Sequence, residues 1–274
     1  MLNQKILPAF FLLALLCFVP TPVQARIDIV PQKIVISPRE RSTEITILNM
    51  FDRPGTFRVE AINYRQDEDG RYTDSEGSVT PPFDVTQHVR YSPRQFTLPP
   101  GGRQKIRLSL RKPADLPDGE YRFHVKTVRF GEPPAPDENA PDTDEEPEQR
   151  VKLTMNMGVT IPVIIRHGQT DASASLSDIK LIEGSRSESG YPELHTTIER
   201  SGNRSAMCIV KVLWAPQGEE EREIGFLRNV NVFTEVNERH LEIKLKESPY
   251  GDGTLRIELQ DEETLELFDE AILR

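Results

Sequence analysis

The sequence predicts an all-β protein made of two antiparallel sandwiches in series, preceded by an export signal. Three observations carry this. Apolar residues recur at every second position in short runs along most of the chain, the period of a strand with one buried face. Turn-forming Pro, Gly, Asn and Asp separate many of the runs. Helical periodicity is confined to one short closing segment.

Residues 1–25 stand apart from the fold. Lys5 gives a positive start, and the apolar run 9–19 is too short to span a membrane. Val23-Gln24-Ala25 has the small residues of a cleavage site, so the exported chain is expected to begin at Arg26. Cys17 follows Leu16, which is too large for a lipid-attachment signal, so ordinary secretion is expected. No later segment is apolar enough to insert in a membrane. Cys208 is the one cysteine beyond the signal, which excludes an internal disulfide framework. The net charge of −10 argues against nucleic-acid binding and reads as solubility.

The first run, 27–36, is followed by Ile45 and Ile47, then by Phe57, Val59 and Ala61. Residues 67–70 (DEDG) read as a tight turn. Phe96 and Leu98 lead into the 99–102 loop (PPGG), and Ile106, Leu108 and Leu110 alternate cleanly. A second loop, 113–119, precedes Tyr121, Phe123 and Val125. With the run 151–165 this makes about seven strands in roughly 140 residues, the pattern of an immunoglobulin-like sandwich.

Residues 131–150 interrupt that pattern with five prolines, eight acids and no large apolar side chain, so they can bury nothing and are expected to be a mobile, solvated loop. The ligand spacing and turn glycine of a calcium loop are missing. The loop leads into 151–165, where every odd position is apolar: Val151, Leu153, Met155, Met157, Val159, Ile161, Val163 and Ile165. Fifteen residues at about 3.3 Å each extend about 50 Å, well beyond a usual strand. Part of this run should therefore project or pass along an edge. Soluble proteins normally blunt an apolar edge. Pro162 does so for the later half, but nothing protects Leu153, Met155 and Met157. Two readings stay open here: a long core strand, or an edge offered to a partner by strand addition.

Residues 166–169 (RHGQ) break the alternation and begin a hinge. Beyond them the runs 176–182, 194–198, 208–214, 230–236, 241–245, 255–259 and 265–273 are candidate strands of a second, smaller sandwich; the last has a short helix as its alternative. The expected division is a signal at 1–25, a first domain at 26–168 and a second at 169–274.

No catalytic constellation is legible. His88, His124, His167, His195 and His240 lack metal-ligand spacing, and no nucleophile elbow or phosphate loop is present. S-x-x-K occurs at Ser109–Lys112 and again at Ser177–Lys180, without companion motifs. Cys208 lies in an apolar strand pattern and is expected to be buried and inert. The chain reads as a non-enzyme with no cofactor and no metal.

Several stretches together resemble the periplasmic chaperones of the chaperone–usher pathway, the PapD-like pilus chaperones. They are 91–101 (YSPRQFTLPPG), 104–107 (QKIR), 116–122 (LPDGEYR), the opening 36–49 (ISPRERSTEITILN) and the alternating Leu153, Met155 and Met157. The second domain is covered more loosely, mainly by 225–245 and the closing LRIELQD. The resemblance implies two immunoglobulin-like domains set at an angle with a cleft between them, in the periplasm. It implies binding of pilus or fimbrial subunits that lack their last strand, with delivery to an outer-membrane usher. The lent strand would be Leu153, Met155 and Met157, with Val151 and Val159 as outer members. It further implies two basic residues that hold the subunit's C-terminal carboxylate. The first falls on Lys33; the second falls on Pro162, which has neither charge nor donor, and Arg166 is one substitute. The free protein would be stable by itself, with a self-capped homodimer as one way to cover the edge. The rival reading, a structural fibre subunit or adhesin, predicts an incomplete sandwich that polymerises.

Overall fold

The computed structural model describes residues 26–74, 84–113, 115–130, 156–185, 187 and 189–273. The signal segment, the loop 131–150, and with them Val151, Leu153 and Met155, lie outside the described residues.

The first part of the chain forms β1 (Ile27–Val30), β2 (Ile34–Ile36), β3 (Ser42–Asn49), β4 (Gly55–Ile62), β5 (Tyr64–Gln66), β6 (Tyr72–Asp74), β7 (Val89–Ser92), β8 (Gln95–Leu98), β9 (Arg103–Leu110), β10 (Gly119–Phe130) and β11 (Met157–His167). They build two facing sheets, in the orders β1-β3-β9-β7 and β2-β11-β10-β4-β8, with β5 and β6 as a separate hairpin. Between the sheets lies one apolar core that includes Ile29, Ile45, Ile47, Phe57, Ile106, Leu108, Phe123, Val163 and Ile165. Each such side chain contributes about 1.5–3 kcal/mol by leaving water. At the corner before β10, Tyr121 Oη donates to Pro117 O at 2.8 Å, the local lock known as a tyrosine corner in immunoglobulin-like sandwiches.

More strands form here than the alternation predicts, for identifiable reasons. The run 27–36 is split at Pro31, where the Val30–Pro31 bond is cis and the chain leaves one sheet for the other. Strands β5, β6 and β7 are three or four residues long, too short to show a period. The 67–70 turn joins β5 to β6, with Gly70 at φ 78 and the Arg71 amide donating to Asp67 Oδ1 at 2.7 Å.

The second part forms β12 (Ala172–Ile182), β13 (Glu193–Gly202), β14 (Ala206–Pro216), β15 (Arg222–Val232), β16 (Glu238–Lys244), β17 (Gly253–Asp261) and β18 (Leu267–Leu273). Sheets β12-β13-β16 and β15-β14-β17-β18 enclose a separate core around Leu194, Ile198, Val210, Val212, Trp214, Ile243 and Ile257. Cys208 is buried in this core, and burial first, with Asp261 second, pushes its thiol up to about 12, so it is inert at neutral pH. The closing segment is strand β18 and not a helix, because it pairs with β17 from Leu255↔Leu273 to Gln260↔Leu267. The expected 230–236 run also shifts. Strand β15 starts at Arg222 and ends at Val232, and Phe233 leaves the sheet for another contact described below.

Between the two parts, Gly168 has φ +63, and a Cβ there would lie 1.7 Å from Asp118 Oδ1. Asp118 Oδ2 instead accepts from the Gln169 amide at 3.1 Å, so the chain turns tightly after β11.

Candidate functional site

Strand β11 pairs along its whole length with β10, from Met157↔Arg129 to His167↔Gly119. Its other side is treated unevenly. The parallel strand β2 covers Val163, Ile164 and Ile165 only. Among the described residues no strand pairs with Met157 to Pro162 on that side. Met157 is exposed at 41%, Val159 packs partly against the first core, and Ile161 is buried. Beside this open edge lies a cavity of about 520 Å³ between β1 and β11, lined by Ile27, Asp28, Ile29, Val159, Thr160 and Ile161 among others. The buried Ile27, Ile29 and Ile161 stand on its core side, but most of its accessible surface is polar, with Arg26, Asp28, Gln32 and Thr160 in the lining. Such a place can accept main-chain hydrogen bonding along an edge and one or two apolar side chains.

The second half of β11 lies in the seam between the sandwiches. Ile164, the one large apolar residue at an even position of the alternation, is fully buried against Val35, Met207 and Phe233. Around this small cluster runs a network of ion pairs. Arg122, on β10, pairs with Glu235 at very short range and donates to Tyr64 O at 3.0 Å. Its guanidinium carbon stands 3.6 Å from the Phe233 ring centroid, a cation–π contact. Burial lowers the Arg122 pKa, and Glu235 opposes that shift.

The residues predicted from sequence are placed as follows. Lys33 lies in the seam, with Nζ donating to Glu262 Oε2 at 2.6 Å. Pro162 faces His124 across the ladder, one residue before the Val163–Ile34 pair, and so stands level with Lys33. Arg166 faces Glu120 and binds it through Nε at 3.4 Å. Its two terminal nitrogens donate to Glu263, each at 2.8 Å. Burial works against the Arg166 charge, but the bonds to Glu263 and Glu120 outweigh it and hold its pKa above the usual value. Glu120 in turn accepts from the Ser205 amide at 3.2 Å and from the Ser205 hydroxyl. Arg204 completes the network with Asp261 at 3.2 Å and Glu263 at 3.3 Å.

Sequence reasoning missed Glu120, Arg204, Arg228, Glu235, Glu262 and Glu263. They sit among many other charges of an acidic chain, and only the meeting of two sandwiches singles them out. Ile164 did leave a signal, as an apolar residue at the polar parity of the run. The histidines also acquire neighbours that spacing could not show. His195 lies near Glu193 and Glu242, and His240 near Glu68 and Glu238, each trio with ligand atoms within 4.8 Å. Cross-strand register brings His195 opposite Glu242, and exposed acidic neighbours of this kind are common without a metal.

No family model and no curated protein matches the sequence. Among solved structures the chain is similar to the YadV chaperone, at 11% identity and a TM-score of 0.45, covering 90% of this chain and 99% of that one. It is similar to a chain of the CsuC–CsuE chaperone–tip subunit pre-assembly complex of Acinetobacter baumannii, at 13% identity and a TM-score of 0.44, covering 91% and 97%. The CupB2 chaperone of Pseudomonas aeruginosa aligns at 11% identity and a TM-score of 0.43, covering 90% and 97%. These likenesses are low.

Proposed function

We propose that this protein is a periplasmic chaperone of fibre assembly. It caps incomplete pilus or fimbrial subunits by lending them the strand 151–165 and delivers them to an outer-membrane usher. The observation that supports this best is the uneven edge of β11: Met157 to Pro162 are held in strand geometry by β10, left without a strand on the other side among the described residues, and set beside a cavity. A rigid edge of this kind is pre-organised for main-chain pairing, and alternate side chains at Leu153, Met155, Met157 and Val159 supply the apolar fit. Met suits the task, because its flexible thioether adapts to pockets of different shape. On this reading Lys33 receives the subunit's C-terminal carboxylate. The domains 26–168 and 169–274 then act as one frame, and chemistry plays no part.

The rival reading, a fibre subunit, requires a sandwich that lacks a strand. The first sandwich instead has a filled core closed by its own β10 and β11. The test is recovery of subunits from the periplasm with the chaperone as bait. Met155→Asp places a charge in the proposed donor face and is expected to abolish recovery while leaving the chaperone soluble. Undiminished recovery would refute the donor-strand assignment.

A further inference from the structure

Resting on that reading, we propose that Arg228, from the second sandwich, is the second base of the carboxylate clamp, and that Glu262 is a resident carboxylate which the ligand displaces. The partner group is a peptide's C-terminal carboxylate.

Register supplies the first reason. A guest strand running along the open half of β11 must stop where β2 begins, at Ile34. For a guest that runs parallel to β11, as β2 does, the end that arrives beside Lys33 is the C-terminal one. The resident carboxylate supplies the second. One oxygen of Glu262 accepts from Lys33 Nζ at 2.6 Å, and the other forms an ion pair with Arg228 Nε at 3.7 Å. One carboxylate is thus already held from both sandwiches, by one base from each.

Arg166 does not fit the role of second base. All three of its guanidinium nitrogens are engaged, and its partner Glu120 has a side chain only 1% exposed. Drawing Arg166 away would leave that buried charge uncompensated, which is strongly unfavourable. Glu262 is different. Its backbone is fixed, since its amide donates to Met207 O at 2.8 Å and Asp261 Oδ1 accepts from the amides of Glu263 at 2.7 Å and Thr264 at 3.2 Å. Release of its carboxylate from Lys33 and Arg228 would break none of these backbone bonds. Lys33 and Arg228, for which Glu262 is the one ion-pair partner among the described residues, would then receive the incoming carboxylate. The clamp stays neutralised in the empty protein, and binding exchanges one carboxylate for another. A neutral or amidated end gains nothing from the exchange.

The experiment uses the exported chain and a synthetic octapeptide of alternating Val and Thr, as free acid and as C-terminal amide, with affinities read by calorimetry. Glu262→Gln is expected to tighten binding of the acid on the order of tenfold, the scale of a charge-assisted hydrogen bond, and to leave the amide unchanged. In that background Arg228→Gln should weaken the acid about threefold, as befits a partly exposed ion pair, and Lys33→Met should weaken it more. Thermal melts of each variant report that the fold is kept; Arg228 is 61% exposed in its side chain, so its replacement should be benign. If Glu262→Gln shows no preference for acid over amide, whether both peptides bind or neither does, the clamp is overturned. If the preference survives Arg228→Gln in full, Arg228 is not its second base. Neither result touches the donor-strand reading, which stands or falls on Met155→Asp.

Discussion

The two halves of β11 share one strand, one alternation and one partner in β10, yet they end in opposite environments. Residues 163–165 are sealed between β10 and β2, with Ile164 closed over by the second sandwich. Residues 157–162 have β10 on one side and, among the described residues, no strand on the other, and Met157 stands in solvent. Alternation decides which face of a strand is apolar. It says nothing about which edge is covered, because an edge is covered by residues far away in the chain. The same period therefore serves burial in one half and presentation in the other.

The comparison can be broken most severely where the halves meet, at His124 opposite Pro162. The imidazole is buried against the edges of Tyr64 and Tyr72, with ring centroids at 5.3 and 5.5 Å. Burial first, and the Arg122 charge second, push its pKa from 6.5 down to about 3. Above pH 6.5 the ring is neutral both folded and unfolded, and this part of the stability is fully present. As pH falls, the unfolded chain takes up its proton near 6.5 and the folded chain only near 3. Stability is lost across that window, on the order of 5 kcal/mol in all. Replacing the ring by His124→Phe should flatten the dependence of unfolding free energy on pH between 6.5 and 4, measured by urea titration at each pH. Unchanged slopes would show that the join is not sealed.

A smaller effect is expected from Ile164→Ala, about 3 kcal/mol, since the change opens a cavity between the sandwiches that they can only partly close. The smallest belongs to Met157→Ala, about 0.5 kcal/mol or less for an exposed side chain. The same substitution should nonetheless lower subunit recovery in the periplasmic assay. Equal losses of stability for Ile164→Ala and Met157→Ala in chemical unfolding would erase the distinction between the halves.

Much of the architecture was legible because it depends on local pattern. Ile45 and Ile47, Phe57 and Val59, Ile106 and Leu108, Phe123 and Val125, and Val210, Val212 and Trp214 each announce a strand by period two, and each pair or trio is buried. The strands that escaped notice, β5, β6 and β7, were too short for a period to show. The closing segment, a candidate strand with a short helix as its alternative, was ambiguous because leucine and glutamate favour helices in isolation, and pairing with β17 decided for the strand. Lys33 and Arg166 were singled out from sequence, but their surroundings were not.

What the chain determined by itself is therefore its class and its faces: strands, two cores in series, and an apolar ribbon with one unprotected stretch. Only the tertiary structure decided the pairing of charges. Lys33 meets Glu262, Arg122 meets Glu235, and Arg166 meets Glu120 and Glu263 because two separately folded sandwiches bring them within reach. Hydrophobic patterning acts between neighbours in sequence and leaves a period to read. Ion pairing acts only over a few ångströms of space, and residues up to 229 positions apart carry no mark of it until the chain has folded.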